Sequence, residues 1–243
     1  MLKVHEIFES ISGEAGGFPQ GTWCTFVRLQ GCNLRCSWCD TKRAQMMLEC
    51  KGKSVRIPEL NQDHGPVITK MDIPEIAERC VNRHVLITGG EPLVQAETVD
   101  LIKDLLRKGH KVQVETNGSL PIPQIKWAHW VIDYKCPSSG MVEKMPTIDV
   151  FAERITEATS RYYGGDACIK WVIADEHDLR FAIERIRQLL FTHRCVVPHY
   201  LSPINGDGNM IKEMVAEIRG NNAGKLLDYV AFSIQIHKLF GLS

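Results

Sequence analysis

Short apolar runs alternate with amphipathic stretches along most of the chain, a rhythm that predicts strands alternating with helices. An extended piece, LKVHEIFESI at 2–11, precedes a β-rich alternating run at 22–30 that ends in a polar loop. Residues 43–70 mix polar, Gly and Pro positions and read as an irregular insertion. Asp72-Ile73-Pro74-Glu75 then opens a helix: Asp caps it, Pro fits its first turn, and Glu stands three residues after the cap. An apolar strand at 84–88 runs into Gly89-Gly90-Glu91-Pro92. Residues 96–108 carry helical spacing at Val99, Ile102, Leu105 and Leu106 until Gly109 stops them.

The unit recurs. Strands are expected at 111–115, leading to Thr116-Asn117-Gly118, and at 130–134, leading to KCPSSG; a helix at 150–159 follows. A strand at 168–174 precedes a helix at 179–190, a strand at 195–200 precedes a loop and a helix at 210–219, and 230–235 reads as the last strand. Apolar strands alternating with helices imply an α/β fold with a parallel sheet under helices. Six or seven units make an incomplete parallel β/α barrel of six to seven strands, and no biased linker divides the 243 residues, so one domain is expected. In such folds chemistry gathers where strands end and loops begin, which is where every distinctive motif here falls.

Composition removes some functions. Lys plus Arg and Asp plus Glu balance at 29 each, which gives no charge bias toward nucleic acid or an anionic membrane. The N-terminus lacks a signal-peptide core and no segment reaches the ~18 apolar residues of a membrane span, so a cytoplasmic protein is expected. Thiols stay reduced there, and the nine cysteines are no disulfide framework.

Three of them stand apart: Cys32, Cys36 and Cys39 lie in GCNLRCSWCD, spaced C-x-x-x-C-x-x-C. Buried structural thiols fit poorly among Asn33, Arg35, Ser37 and Asp40. A structural zinc takes four ligands, and with no second cysteine pair a histidine must complete the set. A thioredoxin-like pair, Cys36 with Cys39, leaves Cys32 over. A four-iron cluster normally takes four thiolates, so three leave one iron open to another ligand.

That spacing, with Trp38 before the third cysteine, resembles the signature of radical S-adenosylmethionine enzymes. The resemblance implies a [4Fe-4S] cluster on Cys32, Cys36 and Cys39 whose open iron chelates the methionyl end of S-adenosylmethionine. One electron from an external donor of flavodoxin or ferredoxin type then cleaves the sulfonium to give a hydrogen-abstracting radical. It assigns cofactor contacts to Trp38, Gly89, Gly90, Glu91, Asn117, Asp133, Tyr134, Lys135, Lys170 and Val172. Taken singly, Gly-Gly-Glu-Pro and Thr-Asn-Gly are also ordinary turn sequences; their order on successive strand ends is what distinguishes them.

Along almost its whole length the chain resembles one branch, the 7-carboxy-7-deazaguanine synthases, through EIFESISGE, FVRLQGCNLRCSWCDT, ITGGEPL, VETNGS, KCPSSGM and SIQIHK. This implies a small pterin substrate, 6-carboxy-5,6,7,8-tetrahydropterin, contacted by Ile11, Ser12, Gly13, Glu14, Arg28, Thr88, Gln235 and His237. It also implies Mg2+ on Thr41, and a homodimer. Arg28 suits a carboxylate bidentately, and one hydroxyl suits an ion that keeps most of its waters. Ser12 stands where the branch often has Gln, Ala15 where it often has Gly, and Asp133-Tyr134-Lys135 where it often has Ser-Pro-Lys. The alternative is an activating enzyme that installs a glycyl radical on a partner protein.

Overall fold

Parallel neighbours in a sheet need a crossover connection, and the chain supplies one after almost every strand. The computed structural model describes residues 1–12, 16–47, 54–56, 67–160, 164–220, 224–234 and 236. The strands are β1 (Leu2–Ile11), β2 (Trp23–Leu29), β3 (Ser54–Arg56), β4 (Val67–Met71), β5 (His84–Gly89), β6 (Lys111–Thr116), β7 (Ala128–Asp133), β8 (Asp166–Ile173), β9 (His199–Pro203) and β10 (Val230–Phe232). The helices are α1 (Ile73–Arg79), α2 (Thr98–Arg107), α3 (Ile148–Ala158), α4 (Glu176–Arg187) and α5 (Gly208–Gly220).

All ten strands form one sheet, ordered β10-β9-β8-β7-β6-β5-β2-β1-β4-β3. From β2 to β10 the neighbours pair in parallel, which gives a seven-stranded partial barrel whose two edges do not meet. The expected fold class is borne out. An antiparallel wing was not foreseen: β1 returns along β2, and β4 and β3 extend it. The wing corrects the reading of 43–70 as wholly irregular. The β-branched run Val67-Ile68-Thr69 forms β4, and Ile68 is fully buried, while 48–53 and 57–66 lie outside the described residues.

Helix ends follow their local signals. Asp72 accepts from the Glu75 amide at 2.9 Å, Thr147 caps α3, and Asp175 accepts from the Asp178 amide at 2.8 Å. The chain leaves α4 through a π turn over Gln188–Thr192. Strand β9 starts at His199, later than expected, because Pro198 has no N–H to pair and the Cys195 amide is tied back to Leu189 O at 2.9 Å. Strand β10 stops at Phe232, short of the expected end.

Each parallel strand divides its two faces. Outward residues such as Val27, Ile87, Val114, Ile132, Ile169 and Leu201 join the main core beneath Leu101, Phe151, Ile155 and Ile183 of the helices. Inward residues on the same strands (Arg28, Thr88, Glu115, Asp133, Lys170, Ser202) are polar and surround a cavity. Strands of a parallel sheet are usually apolar on both faces. The alternation here means that the inner face is not packed shut.

Candidate functional site

The cavity, about 260 Å³, opens at the C-terminal ends of the strands, and Cys32, Cys36 and Cys39 stand around its mouth. Cys32 and Cys36 are buried and Cys39 half-buried, in a small cluster with Leu34, Met141 and Met145. Their loop is held from several sides. The Arg35 guanidinium donates to the Cys32 and Leu34 carbonyls at 2.7 Å each, and the Gly31 amide donates to Ala44 O at 2.7 Å. Ser37 donates through its hydroxyl to Ser138 O (2.6 Å) and through its amide to Ser139 O (3.0 Å).

The chemistry of these thiols suits a cluster. Burial pushes Cys32 up and Cys36 up to about 11, opposed in both by the Lys135 ammonium, so their thiolates need added positive charge of the kind iron brings. The Leu34 amide points at Cys32 Sγ from 3.3 Å and Asn117 Nδ2 lies 3.9 Å from it, so donors already face sulfur. Among the described residues no three His, Cys, Asp or Glu side chains converge as ligands of a single ion. Cluster thiolates each take a different iron, so they surround a volume instead of meeting at a point.

The loop after β5 lies against this loop, backbone to backbone. Gly90 N–H donates to Leu29 O (3.1 Å) and Glu91 N–H to Gly31 O (2.8 Å). A Cβ on Gly89 would stand 2.1 Å from Leu29 O, and one on Gly90 2.3 Å from Gly31 O; Gly89 also has φ +141°. Both glycines are therefore required by contact, beyond any turn preference. They line the cavity. The Glu91 side chain turns inward, 1% exposed, and accepts from Leu93 N (3.0 Å), Thr116 Oγ1 (2.8 Å) and Asn117 N (2.6 Å). Burial raises its pKa against those donors. Glu91 is thus a tie between the loops after β5 and β6.

Asn117 completes the tie. It donates to Asn33 Oδ1 (3.0 Å) and accepts from Ser119, whose hydroxyl also receives Asn33 Nδ2 at 2.8 Å. Across the mouth, Lys135 Nζ pairs with Asp133 Oδ2 at 2.8 Å and stands 5.1 Å from the Trp38 ring centre. Burial works against the Lys135 charge, yet Asp133 and Cys36 outweigh it and raise its pKa. Asp133 is therefore the acidic partner of Lys135 in this wall. Lys170 and Val172 line the same wall.

Deeper in, Phe8 and Phe26 stack at 4.9 Å, and Arg28 lies over Phe8 at 5.5 Å. Glu6 binds Arg28 through Nε at 2.6 Å. Thr88 Oγ1 donates to Glu115 Oε2 at 2.9 Å. Thr41 is at the mouth, its hydroxyl 2.9 Å from Asp40 Oδ1.

The structure does not bring every expected residue to the cavity. Tyr134 faces outward into the core between Phe151 and Trp171, its hydroxyl on Pro146 O at 3.0 Å. Ile11 and Ser12 lie at the far end of β1, opposite the mouth, beside Trp23 and Thr22. Gly13, Glu14, Gln235 and His237 lie outside the described residues. Phe8, Phe26, Glu115 and Ser202 line the cavity without having been singled out. For Phe26 the signal was the strand period, two residues before the inward Arg28.

Comparisons with known proteins agree with this geometry. A family model described as the Radical SAM superfamily matches residues 26–133. A 7-carboxy-7-deazaguanine synthase from Hyperthermus butylicus is 33% identical over 100% of this chain and 94% of its own. One from Clostridium acetobutylicum is 31% identical over 98% and 95%. Among solved structures, QueE from Escherichia coli superposes with a TM-score of 0.67 at 21% identity, covering 96% of this chain and 93% of the other.

Proposed function

The chain belongs to the 7-carboxy-7-deazaguanine synthase family, within the radical S-adenosylmethionine superfamily, and from that premise we propose how its residues divide the work. The reaction is conversion of 6-carboxy-5,6,7,8-tetrahydropterin to 7-carboxy-7-deazaguanine with loss of ammonia. One observation carries the reading: a single cavity has three cysteines at its mouth and an arginine, a stacked aromatic pair and a carboxylate deeper in.

Cys32, Cys36 and Cys39 would hold a [4Fe-4S] cluster. When bound, the reduced cluster and S-adenosylmethionine would supply the hydrogen-abstracting radical. The backbone of Gly89 and Gly90 meets the cofactor's amino end, kept in place by the buried Glu91. Trp38, Asn117, Lys135 with Asp133, Lys170 and Val172 form the rest of its enclosure. Tyr134, with its side chain in the core, offers only its backbone.

Arg28 takes the substrate carboxylate. Glu6 already occupies its Nε edge, which leaves the Nη fork for bidentate pairing. Phe8 and Phe26 give the bicyclic ring an apolar face, and Thr88 with Glu115 meets its N–H edge. Ile11, Ser12, Gly13, Glu14, Gln235 and His237 are assigned to the substrate by resemblance alone. Thr41, beside Asp40, would hold Mg2+, which would supply positive charge for the substrate carboxylate.

The one ten-stranded sheet supports a single domain. We also propose an external one-electron donor of flavodoxin or ferredoxin type, a homodimer, and a cytoplasmic location, where buried free thiols such as Cys80 and Cys195 stay reduced. Among the described residues no helix is long and apolar enough to cross a membrane. The relatives matched along the full chain carry a small-molecule product in their name, so the glycyl-radical alternative is set aside.

The test is anaerobic. Iron- and sulfide-reconstituted enzyme receives reductant, S-adenosylmethionine and Mg2+, with and without the tetrahydropterin, and products are read by mass spectrometry. Formation of 7-carboxy-7-deazaguanine in excess of cofactor consumed is expected. Cleavage to 5′-deoxyadenosine alone would leave the radical assignment and remove the substrate.

A further inference from the structure

Trp38 is clamped at its edge as well as over its face, and the edge clamp leads to a residue outside the cavity. The indole Nε1 lies 3.0 Å from Ser138 Oγ. Ser138 Oγ lies 2.5 Å from Asp178 Oδ2, and the Ser138 amide donates to Asp178 Oδ1 at 2.9 Å. The Ala174 amide also donates to Oδ2, at 2.9 Å. Asp178 is fully buried.

Donor chemistry fixes the direction of this chain. An indole N–H only donates, so Ser138 Oγ must accept from Trp38, and its one proton goes to the Asp178 carboxylate. A carboxylate that only accepts satisfies all three donors aimed at it; a neutral amide cannot, and one donor is left buried and unmatched. Asp178 sits at the third position of α4, where a short acid ordinarily serves its own helix terminus. Here it takes the Ala174 amide at that terminus and also reaches across to the loop after β7. That loop in turn holds both the Ser37–Trp38 segment and Lys135, which faces the Trp38 ring.

We propose that Asp178 is a positioning residue for the cofactor site: through Ser138 it fixes the plane of Trp38 beside Cys39 and so shapes the wall that S-adenosylmethionine meets. The claim rests on the assignment of that mouth to cluster and cofactor.

The test uses reconstituted enzyme in four forms: wild type, Asp178→Asn, Trp38→Phe and the double variant. Cofactor cleavage without substrate gives KM and kcat for S-adenosylmethionine. Each single variant is expected to raise KM about tenfold with kcat within about twofold, and the double to match the worse single, because both break one chain. Independently of activity, hydrogen exchange read by mass spectrometry should quicken at 33–41 in Asp178→Asn and stay unchanged at 179–187. Ser138→Ala, which keeps the carboxylate and α4 intact, should reproduce both effects and serves if Asp178→Asn fails to fold. Multiplying effects in the double variant, or faster exchange confined to α4, would overturn the proposal. A wild type that holds iron yet never cleaves the cofactor would count against the cofactor reading, and the exchange pattern would still decide whether Asp178 holds the loop.

Discussion

The rim of the cavity is built in two different ways. On the side of β2, β5 and β6, backbone meets backbone: Gly90 and Glu91 amides bond to carbonyls of the cysteine loop's base, and Glu91 ties the next loop to them. On the side of β7 and β8, side chains do the work, standing on alternate strand positions as the Asp133–Lys135 pair, Lys170 and Val172. The first construction needs contiguous residues, some without a Cβ. The second needs only the right residue at every other position. The backbone side should therefore fail by steric intrusion, and the side-chain side by loss of charge balance.

The largest effect is expected from the smallest change on the backbone side. In Gly90→Ala the new Cβ would lie 2.3 Å from Gly31 O and 2.6 Å from Ala44 O, neither able to swing away as a side chain end can. A cost of about 3 kcal/mol, the top of the ordinary overpacking range, is expected in urea melts. Iron content after reconstitution should fall with it, because the displaced backbone carries Cys32. Wild-type iron loading in Gly90→Ala would show that the two loops do not depend on each other.

On the other side, Lys135→Met strands the Asp133 carboxylate. Removing one partner of a buried pair costs about 3–5 kcal/mol, and Asp133 keeps 19% exposure, so about 2–3 kcal/mol is expected. Adding Asp133→Asn should restore stability without restoring affinity for S-adenosylmethionine. If the double variant recovers neither, packing against Trp38 outweighs the charge.

The same contrast explains what was legible in the sequence. Gly89-Gly90-Glu91 and Thr116-Asn117-Gly118 are contiguous because loops touch loops there, so they read as motifs. Glu115 and Ser202 enter the cavity by strand period from separate strands, and nothing local separates an inward Glu from an outward one before register is known. Asp178 was harder still: it looks like an ordinary first-turn acid, and only the tertiary fold carries its carboxylate to Ser138. The helix after Asp72 began where its cap predicts. The antiparallel wing was hidden because β4 begins directly after a Gly-Pro pair that punctuates the insertion.

Acid gives the mildest probe, and two buried groups, His199 and Glu91, should respond to it with opposite sign. His199 on β9 is fully buried, accepts from Trp171 Nε1 at 3.2 Å, and burial lowers its pKa to about 4. The unfolded chain therefore binds this proton first, near pH 6.5, and stability present above that pH is lost as pH falls toward 4. From pH 7 to pH 5 this group alone should cost about 2 kcal/mol. Glu91 works the other way: its pKa is raised by burial, so protonation in acid favours the folded form. His199→Gln keeps an acceptor for the indole and cannot titrate, so its urea stability should drop about 2 kcal/mol less than the wild type's between pH 7 and 5. Equal drops would mean that the buried His199 beside Trp171 is not where acid enters.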